Sequence, residues 1–229
     1  MNIKNIENIK NNDFHCVNEI KVTGEITENL ELSHTIDNIK FYRTTIKTKR
    51  QSGTEDLIPV IINEALLSKY EQNDKLTKGK RVSINGIIKS FNKRLSPEIN
   101  PETGRYNSKL LINVYITKIS NADISEPDKN EVTLKGYLAN TPTYRQTPAN
   151  KNICDIMIAT NMPYRKSYYI PTICWERTAK KISHKKPGTK LKIKGRLQSR
   201  CYVKTNTETN EITEHITYEV STIYSKEID

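Results

Sequence analysis

The chain has 229 residues, 37 Lys and Arg against 26 Asp and Glu, a net charge of +11 and 35% hydrophobic residues. No run of about 18 apolar residues exists, which excludes a membrane-spanning helix. The apolar residues cluster into short strand-like runs, which excludes a disordered chain. The excess charge is shared, with 19 basic and 14 acidic residues in 1–120 and 18 and 12 in 121–229. That balance favours a polyanionic partner for both halves.

Residues 1–17 read as an N-terminal arm. Asn, Ile, Lys and Glu alternate there without an apolar core or a small-residue cleavage site, so no secretory signal is expected and the setting is cytoplasmic. Glu19–Glu25 alternates Ile20, Val22 and Gly24 with polar neighbours and predicts a half-buried strand. Phe41–Lys47 and Leu57–Ile62 follow as strands, with Pro59 pushing the latter toward an edge or bulge. Asn63 is a suitable N-cap for a helix over 64–71 whose stripe is Leu66, Leu67 and Tyr70. Val82–Lys89 predicts a fourth strand, residues 90–109 a long hairpin loop, and Leu110–Ser120 a fifth strand. Residues 121–129 form a polar linker.

The same order then repeats. Asn18-Glu19-Ile20-Lys21-Val22-Thr23-Gly24 returns as Asn130-Glu131-Val132-Thr133-Leu134-Lys135-Gly136, and Ile58-Pro59-Val60-Ile61 as Ile170-Pro171-Thr172-Ile173, both 112 residues on. Val82-Ser83-Ile84-Asn85-Gly86 returns as Leu191-Lys192-Ile193-Lys194-Gly195, 109 on. A period this long means tandem domains, over 18–120 and 130–229, not a solenoid. In the second copy strands are expected over 132–138, 153–160, 168–175, 191–199 and 216–224, with a helix over 176–184 and a hairpin loop over 204–215. Five strands with a helix between the third and fourth is the order of the OB-fold, a five-stranded Greek-key barrel, so the fold class is all-β with two such barrels.

The fourth strand of the second copy carries the clearest chemistry. Leu191, Ile193, Gly195 and Leu197 alternate with Lys192, Lys194, Arg196, Gln198, Arg200 and Tyr202. Residues 176–200 hold ten Lys or Arg and one acid, Glu176. Any exposed strand face must be polar, but a solvated face ordinarily mixes signs. A groove of this composition follows a phosphate backbone by charge while rings beside it stack on bases. Tyr169 and Trp175 share strand parity on the third strand and offer such rings; Trp175 also fits a core position where strand meets helix. Tyr164 and Arg165, in the preceding loop, fit a stacking site and equally fit plain surface. In the first copy the matching positions are Leu57, Asn63 and Lys93, so the rings are missing there. Basic residues remain at Arg43, Lys47, Lys49, Arg50, Lys89, Lys93 and Arg94, with Phe91 and Tyr106 as substitute rings. The first copy is expected to touch the backbone mainly by charge, or to serve in assembly.

Cys16, Cys154, Cys174 and Cys201 lack metal-ligand spacing, and Cys154 and Cys174 sit in apolar runs where reduced thiols pack as small hydrophobes. No cofactor or metal motif is present, and no carboxylate cluster or nucleophile triad supports catalysis, so no enzyme is expected.

Gly136-Tyr137-Leu138, Pro142, Tyr144-Arg145, Ile173-Cys174-Trp175 and above all Gly195-Arg196-Leu197-Gln198-Ser199-Arg200 resemble the bacterial single-stranded DNA-binding protein family. The resemblance covers most of 130–224 and, more faintly, 18–120. It implies non-enzymatic coating of single-stranded DNA in replication, recombination and repair, with stacking on Trp175, Tyr169 and Tyr202. It also implies a homodimer supplying four barrels. RNA shares both charge and stacking, so these do not separate the two nucleic acids. The family's acidic tip that recruits replication proteins has no counterpart in Tyr224-Ser225-Lys226-Glu227-Ile228-Asp229, which fits a phage or mobile-element version. The competing reading is a primosome-like accessory protein that acts mainly through protein partners.

Overall fold

The computed structural model describes residues 15–100, 104–162, 166–205 and 212–228. Its first half runs β1 (Val17–Ile26), β2 (Glu31–Ile36), β3 (Ile39–Lys49), β4 (Glu55–Asn63), α1 (Glu64–Glu71), β5 (Arg81–Asn100) and β6 (Arg105–Asn121). The second half repeats this as β7 (Lys129–Leu138), β8 (Thr143–Gln146), β9 (Asn152–Met162), β10 (Lys166–Trp175), α2 (Glu176–Ile182), β11 (Lys190–Thr205) and β12 (Ile212–Glu227).

Each half closes into an OB barrel. β1 pairs antiparallel with both β3 and β5, and the parallel pair β4–β6 closes the ring at Val60↔Val114. In the second half β7 pairs with β9 and β11, and β10–β12 closes at Thr172↔Val220. Alternation supplies the cores: Ile20, Val22, Ile46, Ile58, Val60, Ile84 and Val114 line one, and Val132, Leu134, Ile158, Ile170, Ile193, Leu197 and Val220 the other, all buried. A first strand shared between two partners must bend sharply. Gly24 and Gly136 stand at these bends, where an added Cβ would lie 2.1 Å from the Lys47 carbonyl oxygen and 2.3 Å from that of Ala159.

Two features differ from the sequence expectation. The stretches read as hairpin loops are largely paired: β5 and β6 run together from Val82↔Asn121 to Asn100↔Arg105, and β11–β12 reaches Thr205↔Ile212. On the β5–β6 ribbon the large apolar side chains Phe91, Leu95, Ile99 and Tyr106 are exposed and enter no core, so the polar and Pro-containing sequence around them reads as a loop. β2 and β8 were not expected as strands, and both lie at sheet edges with mostly exposed side chains. A legible signal existed for β2. Asp37 and Asn38 join it to β3 at φ +49° and +63°, the pair of left-handed residues a tight hairpin requires.

The two barrels share one continuous sheet of twelve strands among the described residues. Its centre is β1 against β7, antiparallel from Val17↔Lys135 to Thr23↔Lys129. Here β1 leaves β5, whose ladder ends at Ile20↔Gly86. The buried Asn18 replaces the missing partner: its Nδ2 donates to the Ile88 carbonyl at 2.7 Å and its Oδ1 accepts from the Ile88 N–H at 2.9 Å. Asn130 does the same for Leu197, at 2.6 and 2.9 Å. The repeated Asn-Glu dipeptide thus marks the fork where each first strand passes from its own barrel to the neighbour.

Candidate nucleic-acid interface

On β10, Ile170, Thr172 and Cys174 are buried while Tyr169 is 49% exposed. Trp175 ends the strand half-buried, its indole Nε1 donating to the Ser221 hydroxyl of β12 at 3.0 Å. Trp175 is also the N-cap of α2, and it makes no side-chain cap. At the matching place Asn63 caps α1 by accepting from the Leu66 N–H at 2.8 Å. The second barrel therefore forgoes a cap, a bond with an ordinary contribution of about 1 kcal/mol, at the position where it carries its only indole.

The first barrel places rings at the same corner from other strands. Ile61 pairs with Tyr115 in the parallel closure as Ile173 pairs with Ser221, so Tyr115 occupies the place of Ser221. Tyr115 meets Phe41 at 6.1 Å and His34 at 6.3 Å between ring centroids, and His34 stacks on Phe41 at 4.8 Å and 3°. The Lys89 ammonium lies 3.7 Å over the Tyr115 ring. Burial, and secondarily Lys166 of the second barrel, hold the Lys89 ammonium below the usual lysine range. Burial, and then Tyr168, push the Tyr115 phenol up. Beside this cluster a cleft runs between the barrels, lined by His34, Arg43, Phe91, Lys109, Tyr115, Ile216 and Tyr218 among others. Counting 112 or 109 residues back from the second copy's rings misses His34, Phe41 and Tyr115 because the ring has moved from the third strand to the fifth. Only the strand pairing makes the positions equivalent.

The other sequence candidates fall into separate places. Phe91, 46% exposed, lies in the cleft. Arg94 covers the Tyr106 ring at 3.5 Å, out on the β5–β6 ribbon, where Lys93 is also exposed. Lys47 is half-buried on β3 and Lys49 exposed, its amide donating to Asp128 at 2.6 Å. Arg50 is committed to the buried Asp56 through bonds of 2.7 and 2.5 Å. Arg196 is half-buried, and burial, then the nearby Arg50, lower its pKa against the pull of Asp56. Gln198, on the same strand face, is buried and donates to Glu219 at 2.8 Å.

The expected row of cations on β11 is therefore divided. Arg196 lies near Arg50 and Asp56 of the first barrel and Gln198 is held by Glu219 of its own barrel, while Lys192 and Lys194 line a cleft with Lys135, Tyr224 and Lys226 on the β7–β11–β12 wall. Arg200 is exposed farther along β11. Tyr164 and Arg165 lie outside the described residues, as does the Tyr202 ring. Among the described residues no group of three or more His, Cys, Asp or Glu is placed to hold a metal ion, and no helix is long and apolar enough to cross a membrane.

Residues 129–223 match the model of the Single-strand binding protein family. Among solved structures, the wild-type single-stranded DNA binding protein from Thermus aquaticus superposes with a TM-score of 0.69 at 16% identity, over 94% of each chain. A deletion variant of the same Thermus aquaticus protein gives 0.68 at 17% identity, over 93% of this chain and 95% of that one. These likenesses show the tandem OB architecture. A search of curated protein sequences finds no match to this chain.

Proposed function

We propose, from the match of residues 129–223 to the model of the Single-strand binding protein family, that this chain binds single-stranded DNA without catalysis and with little sequence preference. Bases stack on Trp175 and Tyr169 in the barrel of 130–229, and on the Phe41–Tyr115 corner in the barrel of 18–120. Lys89 and Lys109 hold phosphates beside them, while Arg43 is engaged by the Glu31 carboxylate at 2.7 and 3.2 Å and joins them only by giving up that pair. The observation that carries this reading is the exchange of a helix cap for an indole at Trp175, at the end of the strand that also bears the exposed Tyr169. Stacking is sequence-tolerant because every base has a π-face. The role that follows is protection of unpaired strands in replication, recombination and repair, in the cytoplasm, with a homodimer presenting four barrels.

Titration with oligo-dT, followed by the fluorescence of Trp175 at several salt concentrations, tests the reading. Quenching is expected, together with a linear fall of log K with log salt, about 0.7 per neutralised phosphate on single strands. Absence of both quenching and salt dependence would reject it.

A further inference from the structure

Cys154 of β9 and Cys174 of β10 are directly opposite each other in the antiparallel ladder, and both are fully buried free thiols on the core side of the second barrel. The first barrel fills the same pair with Tyr42 and Ile62, so the fold does not require two sulfurs there. Directly opposite residues of antiparallel strands have Cα atoms about 4.5 or 5.5 Å apart, inside the span of about 4.4–6.8 Å that a disulfide bridges. The Cys174 thiol is turned the other way, donating to the Thr222 hydroxyl of β12 at 3.6 Å. The next residue on β12, Ser221, accepts from the indole of Trp175, the residue after Cys174. Rotation of Cys174 toward Cys154 therefore breaks a contact beside the one that holds the ring.

We propose that Cys154 and Cys174 form a reversible thiol–disulfide switch, closed by peroxide, that sets the position of the Trp175 ring. Cys154 meets the oxidant first, because β9 is covered on that side only by β8, a four-residue edge strand with every side chain exposed. Its sulfur attacks one peroxide oxygen as the O–O bond breaks, giving a sulfenic acid and one water. The Cys174 sulfur then attacks the Cys154 sulfur; the S–S bond forms, the S–O bond breaks, and the hydroxyl leaves with the Cys174 proton as a second water. Two thiols lose two electrons and the peroxide gains them. Burial makes the reaction slow and restricts it to an oxidant small enough to enter when the edge opens. Cross-strand Cβ atoms stand about 4.5–5.5 Å apart, wider than the roughly 3.5–4.5 Å of a relaxed disulfide, so the closed form is readily reduced. The switch stands on the thiol geometry, and its effect on binding rests on the nucleic-acid reading above.

The test uses the full chain with Cys16→Ser and Cys201→Ser, which leaves the buried pair as the only thiols. Native protein is treated with hydrogen peroxide at pH 8 and digested without reductant. The peptides bearing Cys154 and Cys174 should be joined, and dithiothreitol should separate them. The emission of Trp175, the only indole, should change on oxidation and return on reduction. Further replacement by Cys174→Ala should abolish both changes under the same peroxide, which separates the switch from direct oxidation of the indole. The oxidised protein should bind oligo-dT at least about 5-fold more weakly, the low end of what one base–ring stack contributes. Sulfinic acid without joined peptides, or joining only after denaturation, overturns the proposal. Joined peptides with unchanged emission or unchanged oligo-dT affinity overturn the link to the ring. If the reduced protein does not bind oligo-dT while the peptides join and the emission shifts, the nucleic-acid reading fails and the switch stands.

Discussion

The hydroxyl of Ser90, on the first barrel's β5, accepts a 2.8 Å hydrogen bond from the backbone N–H of Tyr169 on the second barrel's β10. The reciprocal bond exists: the Leu57 N–H of β4 donates to the Ser199 hydroxyl of β11 at 3.3 Å. Ser199 is the counterpart of Ser90, and Leu57 of Tyr169, under the same offsets that relate the two copies. The barrels are therefore related by a pseudo-twofold axis, each extending a ribbon over the other's third strand. Ser90→Ala or Ser199→Ala removes one cross-barrel bond with an ordinary net contribution of about 1 kcal/mol. Each is expected to lower the melting temperature by about 2–4 °C, read by circular dichroism.

Asn18 and Asn130 should matter more. Each satisfies both the N–H and the carbonyl of one residue at the strand fork, and Asn18 is 4% exposed. Asn18→Ala leaves two buried backbone groups of Ile88 without that partner, at about 1–3 kcal/mol for each group. Urea unfolding should show a loss of about 2–6 kcal/mol for Asn18→Ala. A smaller loss is expected for Asn130→Ala, whose site is only part-buried.

How much of this was legible in sequence follows from what each position senses. The strands of the barrels alternate because one face is buried, so Ile20, Val22, Ile193 and Leu197 announce themselves. The Asn63 cap and the helix after it are written in local chemistry. The β5–β6 ribbon is not, since neither of its faces enters a core. Tyr115 was invisible as a site residue because its partners, Phe41 and His34, lie about 75 or more residues away in the chain. The uniform cation row on β11 divides for a related reason: period-two alternation says which residues avoid the barrel's own core, not that Arg196 then meets Arg50 and Asp56 of the other barrel or that Gln198 is buried against Glu219.

The thiols of Cys154 and Cys174 are both pushed up to about 11, mainly by burial. At pH 8 they remain protonated and enclosed, so a thiol reagent on native protein should modify the exposed Cys201 and, more slowly, the half-buried Cys16. Denaturation should expose all four. The sign of the pH effect follows from the shift. An unfolded thiol with the ordinary value of 9.0 ionises before the folded one, so the stabilisation is complete below pH 9 and declines as pH rises toward 11. Melting temperature measured from pH 8 to 11 should fall across that window, and Cys154→Ala with Cys174→Ala should flatten the fall.

The rings decide whether one barrel binds or two. Trp175→Ala and Tyr115→Ala each remove one ring from equivalent corners, Trp175 beside Ser221 in one barrel and Tyr115 at the matching place in the other. A base–ring stack contributes about 1–3 kcal/mol, or roughly 5- to 150-fold in affinity. Both substitutions are therefore expected to weaken oligo-dT binding within that range, measured by fluorescence anisotropy of labelled DNA because Trp175→Ala removes the intrinsic signal. Each variant needs a melting curve, since Tyr115 is half-buried and its loss also removes the contacts with Phe41 and Lys89. Stacking on both barrels predicts that the double variant loses about the product of the single effects, because the corners lie in separate barrels without shared partners. If Tyr115→Ala binds as wild type does while Trp175→Ala does not, the first barrel contributes charge and assembly instead, and the Phe41–Tyr115–Lys89 cluster is packing beneath the cleft.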